Sequence, residues 1–165
     1  MSPLNNTIIN FITIKINIFE FKAKDRMKVT LERIGKDYYM EAKGKSGIAI
    51  PMDHSGADPV RGISPMESLL AGVAGCSAID IISILKKQRL EIDSYRAEVD
   101  GERVELDGSK PFKSIQVRVY LEGDIPADKA RRAASLSFEK YCSVSLTMAD
   151  CVDITWEVYL NNNLL

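Results

Sequence analysis

Three cysteines supply the nucleophilic sulfur of this 165-residue chain, and their surroundings differ. Cys76 lies in the stretch AGVAGCSAID, where the neighbouring side chains are almost all small. If the stretch is helical, Gly72 and Gly75 each reduce the stability of the helix by about 1 kcal/mol relative to alanine. The presence of both glycines in one helix therefore needs an explanation. We interpret the stretch as a place where another helix, another backbone or a substrate comes close to the thiol.

The other two cysteines lie near the C-terminal end of the sequence. Cys142 is predicted between the end of one helix and the start of a short helical stretch, whose free N–H groups favour a thiolate. Cys151 follows Asp150 and precedes Asp153, and these carboxylates disfavour its thiolate, so we interpret it as structural or merely exposed. Three cysteines without close spacing fit neither a zinc ligand set nor a secreted disulfide framework, and the single His54 excludes a histidine-rich site. The sequence predicts no metal ion.

Composition and charge exclude several classes of partner. The formal net charge is -1, and the basic residues are spread along the chain. This gives no electrostatic footprint for nucleic acid or for an anionic membrane. Reduced cysteines are typical of the cytoplasm. We therefore expect a cytoplasmic globular protein that binds neither nucleic acid nor membrane.

Residues 1–26 differ from the rest of the sequence because they are rich in Asn, Ile, Phe and Lys. They are too polar for a membrane span and lack a signal-peptide cleavage site. Isoleucines that alternate with polar residues would allow an added strand. The alternative is that natural translation begins at Met27 and that the segment is upstream sequence read through. We favour this alternative because the composition changes at Met27, and we place a single domain at residues 27–165.

The apolar patterns after Met27 predict an α+β fold with antiparallel sheets. Strands are predicted at 28–34, 37–43, 46–52, 94–104, 113–123 and 152–160. A long helix is predicted from Pro65 to about Gln88, a second helix at 126–141 and a short helical stretch at 143–150. Ser64 and Glu67 have the spacing of a capping box that begins the first helix.

Two motifs resemble the OsmC/Ohr family, and most of all its YhfA-like branch. The first is SPMESLLAGVAGCSAIDIISIL around Cys76, and the second is EKYCSVSL around Cys142. The resemblance extends from Met27 to about Leu160. It implies an OsmC-like fold with two long helices packed at the centre of an intertwined homodimer. Better-studied members of the family are thiol peroxidases that act in the response to oxidative stress by reducing organic hydroperoxides.

The resemblance also implies roles for the two thiols. Cys76 would be the peroxidatic thiol and Cys142 the resolving thiol. In such chemistry a thiolate attacks the O–O bond and becomes a sulfenic acid, which condenses with the second thiol to a disulfide. No bound cofactor is implied. An external dithiol, such as a lipoyl group or a small thiol, would restore the pair by exchange.

The sequence departs from the peroxidase branches at the pair that activates the thiol. In those branches a glutamate directly follows the motif's proline and pairs with an arginine. Here Met66 holds that position, and the carboxylate comes one residue later at Glu67, for which we favour the capping role. Arg61, in the preceding loop, is the candidate cation, although a solvated loop charge is the simpler interpretation. Asp80 is expected on the same helix face as Cys76, where its charge opposes a thiolate.

Peroxide reduction is the favoured function because two cysteines in these contexts are hard to explain otherwise. Organic hydroperoxides are the expected substrates, since apolar residues around the thiol, among them Leu69, Leu70, Val73 and Ile79, are expected to line the approach. Two alternatives stay open. One is a non-enzymatic dimer that binds a small apolar ligand in the same tunnel, and the other is a redox sensor whose disulfide changes a partner surface.

Overall fold

A computed structural model of the chain describes residues 26–165. The predicted N-terminal extension lies outside the described residues except for Arg26, so the choice between an added strand and read-through stays a prediction. The first sheet contains, in spatial order, β1 (Thr30–Arg33), β2 (Met40–Lys43) and β3 (Ala49–Met52). The second sheet contains, also in spatial order, β4 (Ser94–Arg103), β5 (Phe112–Glu122), β6 (Asp153–Leu160) and β7 (Asn163–Leu164).

Helical segments connect and cover the strands. They are α1 (Pro65–Lys87), α2 (Ala127–Leu136), a π-helical turn (Ser137–Tyr141) and α3 (Ser143–Met148). The predicted α+β class is confirmed, and within residues 26–165 neighbouring strands are antiparallel with one exception, the pair β5 and β6. This pair is parallel because α2, the π-helical turn and α3 form the crossover that returns the chain to the same end of the sheet.

The core lies between the second sheet and the helices. Alternate residues of β5 face inward, as the two-residue period of a strand requires, and are almost fully buried: Ile115, Val117, Val119 and Leu121. They belong to one apolar cluster with the buried side of α1 and with the small residues of α2. The sides of α1 and α2 that face the sheet are therefore buried, whereas Leu69 of α1 is 44% exposed.

Helix α1 has a buried stripe and an exposed stripe on opposite sides. The buried stripe contains Val73, Ser77, Ile81 and Leu85 at four-residue spacing. The exposed stripe contains Ala71, Gly75, Ile79 and Ser83. The helix is long and apolar enough to cross a membrane by length and composition, and its most apolar window has a mean hydropathy of 1.9. Only 22% of that window is buried within the single chain. A large part of the apolar surface of α1 is therefore exposed in the single chain.

The loop before α1 is fastened to the first sheet. The Ile63 N–H donates to the Pro51 carbonyl at 3.2 Å, and the Asp53 N–H donates to the Ile63 carbonyl at 3.1 Å. At Gly62, a Cβ atom would lie 2.5 Å from the Pro51 carbonyl carbon and oxygen, so only glycine fits. This close approach fixes the start of α1 relative to β3.

Candidate active site

The fold brings two thiols and one carboxylate together. A ligand atom from each of Cys76, Asp80 and Cys142 lies within 4.8 Å of the other two. Cys76 and Asp80 share a face of α1 because they are one helical turn apart. Cys142 follows the π-helical turn, which packs against α1. Both cysteines are free thiols in this structure.

The π-helical turn determines how Cys142 meets α1. The Cys142 N–H donates to the Ser137 carbonyl at 2.7 Å, which is the i→i+5 bond of a π-turn. Ser137 is buried and its hydroxyl donates to Oδ2 of Asp80 at 3.2 Å. Both ends of this turn therefore contact the α1 face that carries the first thiol. Single π-turns inside helical segments occur frequently at functional sites.

Burial raises the pKa of the Cys142 thiol, and the neighbouring Cys76 raises it further. The Ser145 hydroxyl donates to the Cys142 sulfur at 3.1 Å, and this contact lowers the pKa without reversing the rise. The Ser145 N–H at the start of the following helix also lowers the pKa, but burial outweighs it, so the expectation of a favoured Cys142 thiolate is wrong in its net outcome. The N–H groups of a six-residue helix do not compensate for a side chain with no exposed surface.

The three thiols differ in exposure: Cys151 is exposed, Cys76 is partly buried and Cys142 is buried. Their rates of alkylation are expected to follow this difference. At pH 8 iodoacetamide should modify the exposed Cys151 first, and Cys142 at least about tenfold more slowly, because burial and a raised pKa both reduce its thiolate. Mass spectrometry of peptides from timed samples measures the three rates. The rate of alkylation at Cys142 should continue to increase with pH beyond the pH at which ordinary thiols are fully ionised. Equal rates at Cys142 and Cys151 would contradict this picture.

A tyrosine lies beside the thiols with its hydroxyl buried. Within residues 26–165 the Tyr95 hydroxyl has no hydrogen-bond partner. Burial raises its pKa to about 12; the nearby Ser77 hydroxyl lowers the pKa somewhat and Cys142 adds to the rise. Tyr95 therefore stays protonated at neutral pH and retains a hydrogen-bond donor next to Cys142. A buried donor without an acceptor is unusual and costs about 1–3 kcal/mol.

Glu67 forms the predicted capping box. Its carboxylate accepts the Ser64 N–H at 2.7 Å, and its own N–H donates to the Ser64 hydroxyl at 3.3 Å. The hydrogen bonds from Ser64 lower the pKa of the Glu67 carboxyl. Within the described part of the chain, no hydrogen bond joins Glu67 to either thiol.

Arg61 contacts the loop and the first sheet. Its Nε atom lies 3.6 Å from Oδ2 of the buried Asp53, a terminal nitrogen lies 3.9 Å from Asp37, and the guanidinium stacks 4.5 Å from the Tyr39 ring centroid. Burial alone would raise the pKa of Asp53, but hydrogen bonds from the His54 and Arg61 backbone, together with the Arg61 charge, lower it. No ion pair among residues 26–165 joins Arg61 to Asp80.

The small residues around Cys76 are only partly explained within one chain. A Cβ atom at Gly72 would make an ordinary contact of 3.8 Å with Val144 of α3, whereas one at Gly75 would meet no atom within 4 Å. The expected apolar lining is also divided, because Val73 faces the core and Ile79 is 68% exposed. A cleft of about 480 Å³ opens beside Asp80, with Ile84, Leu136 and Tyr141 among its walls.

Four polar residues of this site were not identified as site residues from the sequence: Ser77, Tyr95, Ser137 and Ser145. Ser145 is three residues after Cys142, the spacing of a side chain at a helix start, and this signal could have found it. Tyr95 and Ser137 carry no such signal, because their contacts depend on how β4 and the π-helical turn pack on α1.

Comparison with known proteins identifies relatives over most of the described chain. A family model described as OsmC-like protein matches residues 55–157. Protein YhfA of Escherichia coli is 39% identical over 111 residues, which are 67% of this chain and 81% of that protein. YhfA of Shigella flexneri matches with the same figures.

Solved structures share the fold. An OsmC-like protein from Mycoplasma pneumoniae superposes with a TM-score of 0.72 at 18% identity, over 82% of this chain and 97% of that chain. The organic hydroperoxide resistance protein OhrB of Bacillus subtilis superposes with a TM-score of 0.61 at 22% identity, over 81% of this chain and 98% of that chain. At these identities the likeness concerns the fold alone.

Proposed function

The chain belongs to the OsmC-like family, in its YhfA-like branch, and from this membership and its paired thiols we propose that it is a thiol peroxidase for organic hydroperoxides. The family and its structural neighbours indicate a redox or stress-related function. The observation that supports the finer proposal is the approach of the two sulfur atoms to within 4.8 Å. A pair at this distance needs only a modest movement to form a disulfide bond of about 2.05 Å.

The proposed reaction uses Cys76 as nucleophile. Its thiolate attacks the terminal oxygen of the hydroperoxide, the O–O bond breaks, and the alkoxide takes a proton and leaves as an alcohol. Cys76 is then a sulfenic acid. The Cys142 thiol attacks this sulfur, a disulfide forms and water leaves. An external dithiol, such as a reduced lipoyl group or a small dithiol, reduces the disulfide by two exchange steps and becomes a disulfide itself.

The difference in exposure between the two thiols suits this division of roles. Cys142 is fully buried with a raised pKa, so it stays a thiol, whereas Cys76 is partly exposed and accessible to a substrate. The buried Tyr95 hydroxyl, which has no hydrogen-bond partner within residues 26–165, is a donor that a sulfenate or alkoxide oxygen would satisfy. The reaction would operate in a reducing compartment such as the cytoplasm, where dithiols are available.

The residues that activate the thiol in the peroxidase branches have no direct counterpart beside Cys76 within residues 26–165. Glu67 is engaged in its capping box and Arg61 in its pair with Asp53, so neither supports the thiol within one chain. Asp80 lies beside Cys76 and carries a charge of the wrong sign for this purpose. We therefore propose slower turnover than in a site that places an arginine next to the nucleophile.

A direct assay tests the proposed function. Purified full-length chain is incubated with cumene hydroperoxide or with hydrogen peroxide, and consumption is followed with dithiothreitol or reduced lipoamide as reductant. We expect faster consumption of the organic hydroperoxide, because the cleft beside Asp80 has the apolar side chains of Ile84 and Leu136 among its walls. If neither peroxide is consumed with either reductant, the peroxidase proposal fails, and a dimer that binds an apolar ligand or senses redox state takes its place.

We also propose that the chain is a homodimer, as OsmC-like proteins typically are. Apolar side chains of the first sheet and its borders are exposed in the single chain: Val29 66%, Leu31 55%, Ile48 73% and Ile50 51%. The exposed stripe of α1 adds Ile79 and the open side of Gly75. Surface of this kind rarely stays free on a monomer, and a second copy of the chain would cover it.

The oligomeric state can be measured by light scattering coupled to size-exclusion chromatography. A dimer that persists at micromolar concentration is expected, with a buried interface above about 2,000 Å². Replacing Gly75 with leucine would place a bulky side chain on the exposed α1 stripe and is expected to weaken the dimer. Lys113, exposed on β5 outside these surfaces, offers the control Lys113→Ala. A monodisperse monomer, or a chain that requires detergent or vesicles to stay dispersed, would contradict the dimer.

A further inference from the structure

The cluster of Cys76, Asp80 and Cys142 has the composition of a metal site. Two sulfur atoms and a carboxylate oxygen lie within 4.8 Å of one another. Two of these ligands come from one helix at positions i and i+4, the spacing by which a helix presents two ligands to one ion. The third comes from a separate segment, the residue that follows the π-helical turn.

The distances are compatible with zinc. In a tetrahedral zinc site with Zn–S near 2.3 Å and Zn–O near 2.0–2.2 Å, neighbouring ligand atoms are about 3.5–3.8 Å apart. The three atoms here lie within 4.8 Å of one another and would need to close by about 1.3 Å at most. Thiolates favour soft or borderline ions, and thiolate with carboxylate is a donor set that zinc accepts and magnesium or calcium does not.

Two of the three ligands already have supporting hydrogen bonds. The Ser137 hydroxyl donates to Oδ2 of Asp80 at 3.2 Å. Within residues 26–165, the other carboxylate oxygen of Asp80, Oδ1, accepts no hydrogen bond. The Ser145 hydroxyl donates to the Cys142 sulfur at 3.1 Å. Outer hydrogen bonds that orient ligands are typical of metal sites and often contribute a factor of about 10–100 in affinity.

We propose that the chain with both thiols reduced binds one zinc ion through Cys76 Sγ, a carboxylate oxygen of Asp80 and Cys142 Sγ. A fourth position would remain for water, as in zinc sites with three protein ligands. Binding would release the thiol protons and would protect both sulfurs from alkylation and oxidation. The spacing of cysteine and histidine in the sequence indicates no metal site, and the fold shows the Asp80 carboxylate within 4.8 Å of both sulfur atoms. This proposal does not depend on peroxidase activity.

Cobalt(II) is the probe, because cobalt–thiolate bonds absorb in the near ultraviolet. Reduced full-length chain is titrated without oxygen, and one cobalt ion per chain is expected, displaced by one equivalent of zinc. Asp80→Asn keeps the shape of the side chain and is expected to weaken binding at least about tenfold. Cys76→Ser and Cys142→Ser are expected to reduce the charge-transfer band, whereas Cys151→Ser, which removes the exposed thiol, should leave it unchanged.

Three results would overturn the metal site. These are no cobalt–thiolate band in the reduced chain, a full band in Cys76→Ser, and unchanged affinity in Asp80→Asn. Circular dichroism confirms that each variant is folded; if Cys142→Ser does not fold, Cys76→Ser and Asp80→Asn still decide the question. No peroxide is present in the titration, so a chain that binds cobalt but consumes no hydroperoxide refutes the proposed peroxidase alone.

Discussion

Replacing Cys76 with serine is expected to abolish hydroperoxide consumption. A serine hydroxyl is nearly isosteric but is not ionised at neutral pH, so it cannot attack the O–O bond. Neither other thiol can substitute, because Cys142 has no exposed surface and Cys151 lies outside the cluster. The rate with dithiothreitol should fall by about three orders of magnitude or more, to the uncatalysed background. Consumption of cumene hydroperoxide under the same conditions provides the measurement.

Cys151→Ser is the matched control for this variant. It removes a thiol of the same type from an exposed position and should retain the activity of the unmodified chain. Thermal unfolding of both variants separates loss of chemistry from loss of fold. If Cys76→Ser keeps more than a few per cent of the activity, the nucleophile has been assigned to the wrong residue.

The order of the elements could be predicted because local patterns carry it. Val73, Ile81 and Leu85 are spaced by multiples of four residues, which indicates a buried helix face, and the alternation from Ile115 to Leu121 indicates a strand. The parallel pairing of β5 with β6 could not be predicted, because it depends on a crossover rather than on either strand. Strand β7, at Asn163–Leu164, is too short to produce a pattern.

The candidate site could be predicted only in part, because its contacts also depend on how separate elements pack together. Cys76 and Cys142 were found through motifs that resemble a family, and the structure places their sulfur atoms together. The raised pKa of Cys142 could not be predicted, because the sequence shows the start of a helix but not the burial of the side chain. Asp80 was expected on the face of Cys76, yet its contact with Ser137 arises only when the π-helical turn packs on α1.

Replacing Cys142 with serine is expected to separate the first chemical step from the rest of the cycle. Cys76 should still reduce one equivalent of hydroperoxide per chain, because its own attack does not need the second thiol. The resulting sulfenic acid then has no resolving thiol within 4.8 Å, so turnover should fall to the slow rate at which external thiol reaches the half-buried sulfur. A burst of one equivalent of alcohol, followed by a rate at least about tenfold lower, is the expected record.

Mass spectrometry identifies the state in which this variant stops. Dimedone should label Cys76 after one equivalent of hydroperoxide, and excess hydroperoxide should convert the same residue to a sulfinic acid. In the unmodified chain the same oxidation should give a Cys76–Cys142 disulfide and no dimedone adduct. Cys151 cannot rescue the variant if the two roles are assigned correctly, because it is exposed and lies outside the cluster. A disulfide from Cys76 to Cys151 in the unmodified chain, or full turnover in Cys142→Ser, would make Cys142 a packing residue whose burial serves the core alone.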